Sequence, residues 1–141
     1  MSPVRRSKSI EQLENDYWPS PDESSSGLVI NCHKNRKIPL RELTNEQLRL
    51  LISQKIGIEY LTELALEKLE ENVLVEGDIY EGDLLEAVSR IPIEFWSEKA
   101  EELKKLDRLV ESNSGKLRDE MGEKQFARIA ERIKACAQQR L

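Results

Sequence analysis

The sequence predicts an all-α protein: a compact bundle of about five or six helices with a helical C-terminal extension. Two observations carry that expectation. Apolar residues recur three and four positions apart in successive segments, the spacing that lines one helix face. Helix-start signatures stand directly ahead of those segments, Ser9 with Gln12, Thr44 with Gln47, and Asp83 with Glu86. The composition agrees, since 38 % hydrophobic and 35 % charged residues describe a heavily charged, helix-leaning chain with a modest core.

Taken in order, Ser9 opens a short helix whose face is Ile10, Leu13 and Tyr17 and which stops before Pro19. Residues 19–27, PSPDESSSG, read as a loop. The run LVINCHK is too short for periodicity to choose between an extended segment and a helical turn. Ile38 precedes Pro39 and so avoids the helical basin, which makes NRKIPL extended.

The next element is the clearest. Thr44 and Gln47 form a capping box, Leu43 and Leu48 a hydrophobic staple, and Leu48, Leu51, Ile52 and Ile56 one stripe. Gly57 is placed to close this helix in the left-handed conformation. Ile58, Leu61, Leu64, Ala65 and Leu69 line the following helix, widened by Leu66, so the two read as an antiparallel pair across a glycine turn.

Then comes EGDIYEGDLL (76–85), with four acids in eight residues. Asp83 is the expected N-cap of a helix over LLEAVSRI that Pro92 ends, and Glu86 completes an acidic capping box worth about 1 kcal/mol. Ile93, Phe95, Trp96, Leu103, Leu106, Leu109 and Val110 continue at helical spacing, with Ser97 a candidate second cap. The tail carries Leu117, Met121, Phe126, Ile129, Ala130, Ile133 and Ala137, interrupted near Gly122 and hinged at Ser114–Gly115. The organisation expected is a flexible N-terminus (1–8), a helical domain (9–112) and an amphipathic extension (113–141).

The formal net charge of −5 is uneven: +2 over residues 1–58, −10 over 59–111 and +3 over 112–141. A concentrated field of one sign draws a partner of the other, and it repels nucleic acid. No apolar run approaches the ~20 residues of a membrane span. The two arginines at the start precede no apolar segment, so no secretory signal is read there. Cys32 and Cys136, far apart in sequence, read as idle thiols in a reducing compartment, which points to the cytoplasm.

Catalytic and metal chemistry find no frame. Counted from Asp78, the alternate ligand positions of a calcium loop fall on Tyr80 and Gly82, and the twelfth-position glutamate is absent. His33 is the only histidine, which leaves zinc sites and nucleophilic triads without a partner set. Seven aromatic residues are too few for a sugar-binding groove, and glycines flanked by acids repel phosphate. The expectation is a protein with no catalytic residues, cofactor or metal, acting as a binding protein with an acidic face. Trp18 and Trp96 read as core. The candidate contact residues are Glu76, Asp78, Tyr80 and Glu81; the other reading makes these acids helix punctuation only.

The order of these pieces resembles the immunity proteins of bacterial contact-dependent growth inhibition systems. The resemblance runs from about Ser9 to about Glu111 and rests on the stretches Pro39–Arg49, Gln54–Leu61 and Glu76–Leu85 in their order and spacing. It implies a cytoplasmic protein that binds and blocks the toxic C-terminal domain of its own system's effector, often a basic nuclease. Such an inhibitor would meet a basic groove by imitating a nucleic-acid backbone. A motif shared across a family also argues for a scaffold role, so both readings of the loop stay open. Val73 stands where proline is expected, and the tail from Ser112 lies outside the pattern. The alternative function is a small acidic helical adaptor that docks a resident cellular partner.

Overall fold

Ten helical segments and a short 3-10 turn fill the part of the chain that the computed structural model describes, residues 3–139 with side chains from 4 to 138. The segments are α1 (Pro3–Arg6), α2 (Ile10–Glu14), α3 (Gly27–Asn35), α4 (Asn45–Ser53) and α5 (Ile58–Glu71) in the first half. The second half holds α6 (Asp83–Ser89), α7 (Ile93–Trp96), α8 (Ala100–Ser112), α9 (Ser114–Met121) and α10 (Glu123–Gln139). The only extended pairing among the described residues is the isolated bridge of Glu76 with Glu81. The class is all-α as the sequence predicts, with more segments than expected because two long helices are broken and because α1 and α3 form where the sequence reads as a flexible terminus and an undecided run.

One core serves the described residues. α5 packs against α4, α6 and α8; α10 packs against α8, α9 and α6. Leu61, Ala65, Leu66 and Leu69 of α5 are buried among Leu48, Leu51, Leu84, Leu85, Trp96 and Leu106. Leu117, Phe126, Ile129 and Ile133 of the tail lie in the same cluster.

The differences from expectation have local causes. The ambiguous run LVINCHK is helical, because Ser26 caps it: Val29 N–H donates to Ser26 Oγ. Tyr17 is 60 % exposed and off the α2 face, since α2 ends at Glu14 and Asn15 turns left-handed (φ 52°). Gly57 is left-handed (φ 65°) but opens α5 instead of closing α4, whose last turn ends with Gln54 and a left-handed Lys55. Ser97 does not cap α8; its hydroxyl donates back to Glu94 C=O, which separates α7 from α8. Trp96 is buried, whereas Trp18 is half-buried and carries the Arg36 guanidinium 4.0 Å over its ring. Arg36, 1 % exposed, also donates to Glu14 and to Asp16 C=O.

Of the stretch expected to be a flexible N-terminus, Met1 and Ser2 lie outside the described residues. The rest is anchored: Arg6 pairs with Glu67 of α5, Arg5 sits over the Tyr60 ring, and Leu40 N–H donates to Lys8 C=O. Arg140 and Leu141 of the tail are likewise outside the description.

Candidate functional site

Residues 74–83 close on themselves. Gly82 N–H donates to Leu74 C=O at 3.1 Å, and Glu76 faces Glu81 in the antiparallel bridge. Between these ties four successive backbone amides each find a carboxylate. Gly77 N–H donates to Asp83 Oδ1 at 2.7 Å and Asp78 N–H to Glu46 Oε1 at 2.9 Å. Ile79 and Tyr80 N–H donate to Asp83 Oδ2 at 3.1 and 3.4 Å. Successive amides turned to one side form an anion-binding concavity. Here two of the chain's own carboxylates fill it.

Asp83 therefore does not cap α6. The cap position is Gly82, left-handed at φ 94°, and no side chain caps the helix. The chain turns into α6 one residue earlier than the sequence suggests, so the Asp83 carboxylate reaches back into the loop. It is 3 % exposed, and Arg49 Nε lies 3.9 Å from it. Arg49 also grips Glu46 through two hydrogen bonds of 2.7 and 2.6 Å. That guanidinium, helped by the Asp78 amide, holds the Glu46 carboxyl below the ordinary glutamate range.

Glu86 does not complete a capping box either. Its Oε1 accepts from Arg90 Nε at 2.8 Å and from Arg132 Nη1 of α10 at 2.9 Å. Burial pushes its pKa up, but the two guanidiniums outweigh burial and leave it below the ordinary range. The box at Thr44 is closed in both directions: Gln47 N–H donates to Thr44 Oγ1 at 3.1 Å and Thr44 N–H to Gln47 Oε1 at 2.9 Å.

The loop lies so close to α4 that Gly77 has no room for a side chain. A Cβ there would stand 2.6 Å from Glu46 Oε1 and 3.2 Å from Glu46 Cα. On its other side the loop is braced by the tail. Tyr80 OH accepts from Gln125 Nε2 of α10 at 2.9 Å, and burial raises its phenol pKa. Glu81 shares a hydrogen bond with Glu120 of α9, which raises the Glu120 pKa.

The loop's display follows from these ties. Glu76, Asp78 and Glu81 are exposed, and Ile79 is 60 % exposed among them. Tyr80 is half-buried and turned toward the tail. Glu46, Arg49 and Gln125 escape a reading of the sequence because each meets the loop or Asp83 from 32 or more residues away, and Arg132 because it reaches Glu86 of α6 from 46 residues away. Glu46 had one visible sign, its place in the first turn after the Thr44 cap.

Among the described residues, no group of three or more His, Cys, Asp or Glu side chains is disposed to hold a metal ion. No described helix is long and apolar enough to cross a membrane, and Cys32 and Cys136 are both free thiols. Neither the curated proteins nor the solved structures yield a match to this chain. The sequence pattern of the CDI (contact-dependent growth inhibition) immunity proteins, however, matches residues 12–106, from α2 into α8, about two-thirds of the chain. That span contains the amide-filled loop together with Glu46, Arg49 and Asp83, and the chain belongs to the CDI immunity protein family.

Proposed function

We propose that this chain binds the toxic C-terminal domain of its own system's effector in the cytoplasm and neutralises it, and that the toxin is a nuclease with a basic surface. It acts by occupying that surface, makes and breaks no bond, and uses neither cofactor nor metal; nucleic acid and membrane are not its partners. The observation that carries this reading is the loop at 76–81 within a chain of this family. Its backbone donors are consumed internally while Glu76, Asp78 and Glu81 face outward around Ile79. A rigid frame that displays negative charge pays little ordering entropy when it docks.

Protection against a lethal enzyme calls for nanomolar or tighter binding, near −12 kcal/mol. An interface on the order of 1,600 Å² suffices. The acids steer and orient, and apolar anchors such as Ile79 supply much of the affinity.

The test is co-expression with the C-terminal toxin domain of the cognate effector, to be sought in a large exoprotein encoded directly upstream. The expected result is survival of the host and recovery of a stable complex, with no hydrolysis or transfer by the isolated chain. Failure to form the complex, or genuine turnover by the chain alone, overturns the reading.

A further inference from the structure

The cleft bounded by α3, the first turn of α4 and the start of the acidic loop is the most one-sidedly charged hollow among those described. It encloses about 610 Å³, and its wall holds three carboxylates, Glu46, Glu76 and Asp78, with no basic residue. Arg49, behind the wall, answers Glu46. Glu76 and Asp78 are exposed, and their side chains form no hydrogen bond or ion pair among the described residues.

A second, independent feature points to a polar ligand. Asn35 of α3 is 5 % exposed and lines the cleft, yet its side-chain amide has no partner among the described residues. Its polar atoms are not sealed from water, so the amide opens onto the cleft and is free to bond a ligand there. Asn31, one turn earlier on the same helix face, also lines the cleft. Leu50 supplies an apolar part of the wall, and Ile79, 60 % exposed, follows Asp78 in the chain.

We propose that this cleft receives an arginine-bearing segment of the toxin domain, an inference that rests on the functional reading above. A guanidinium carries five donors in a planar fork, which suits two carboxylates and an amide carbonyl together, while its alkyl stem packs on an apolar rim. Arg49 answers Glu46, and the N-terminus of α4 adds only about half a positive charge, which leaves the two exposed carboxylates of Glu76 and Asp78 in excess. The acidic hollow between α5 and α8 is a weaker candidate, because its charge is answered from within. There Arg6 pairs with Glu67, Lys104 with Glu101, and Lys105 lies in the wall.

The experiment measures affinity for the toxin domain by calorimetry, with thermal melts of each variant alone. The double variant Glu76→Gln/Asp78→Asn is exposed and isosteric, and should weaken binding about tenfold or more through faster dissociation. Asn31→Arg places a guanidinium from the chain itself in the cleft, and should weaken binding comparably while leaving the melting temperature unchanged or higher. Glu101→Gln/Glu102→Gln on the other acidic hollow should stay within about twofold of the parent. Parent-like affinity in both cleft variants, or a loss confined to Glu101/Glu102, overturns the cleft assignment while leaving toxin binding intact. No binding by the parent chain overturns the functional reading itself.

Discussion

Removing the Asp83 carboxylate would leave the amides of Gly77, Ile79 and Tyr80 without acceptors and deprive Arg49 of one of its acidic neighbours. Buried donors left unpaired cost about 1–3 kcal/mol apiece, and some of these would regain water as the loop opens. Asp83→Ala should therefore destabilise the fold by about 3 kcal/mol. Asp83→Asn, which keeps one acceptor oxygen and the side-chain shape, should cost less. A conventional N-cap would behave differently, with a loss of about 1 kcal/mol and no effect on the loop. Amide exchange at Gly77, Ile79 and Tyr80, measured with denaturation of both variants, separates the two roles. Protection that survives in Asp83→Ala would return the residue to an ordinary cap.

At the scale of elements, legibility in the sequence followed locality. α4 was legible because Thr44, Gln47, Leu43 and Leu48 specify its start within six residues. α6 was legible as a helix but not in its start, since the left-handed Gly82 takes the cap position and frees Asp83 for the loop. The acidic loop itself could be found but not explained: its anchors Glu46 and Gln125 stand far off in the chain, and no spacing rule reaches them. The tail is the sharpest case. Its stripe was visible, but the burial of Leu117, Phe126, Ile129 and Ile133 in the common core is a tertiary fact. At about 2 kcal/mol for each buried side chain, these four contribute roughly 8 kcal/mol, comparable with the whole net stability of a typical domain. Deleting residues 114–141 should accordingly abolish cooperative melting, even though the family pattern ends at residue 106. A truncated chain that still melts in one sharp transition would show the tail to be peripheral.

For the molecule as a whole, charge placement decides the kinetics of encounter more than the strength of the final complex. The central segment carries −10 and the tail +3; Arg132 and Lys134 of the tail answer Glu86 and Glu111, whereas Glu76, Asp78 and Glu81 of the loop stay exposed. Steering by such a field raises association rates by one to three orders of magnitude at low salt and fades as the screening length shrinks to about 8 Å at physiological ionic strength. Replacing Glu76, Asp78 and Glu81 by lysine raises the formal net charge from −5 to +1. These side chains are exposed, and the amide-to-carboxylate contacts that hold the loop come from Glu46 and Asp83, so the triple variant should fold. Its association with the toxin domain, followed by stopped flow from low to high salt, should slow by about tenfold or more at low salt and lose most of its salt dependence. Dissociation should change as well if the loop lies in the interface, because contacts formed after encounter govern that rate. An association rate and salt slope equal to the parent's would place the loop away from the toxin, and the acids would then be what the alternative reading made them, punctuation of a helical scaffold.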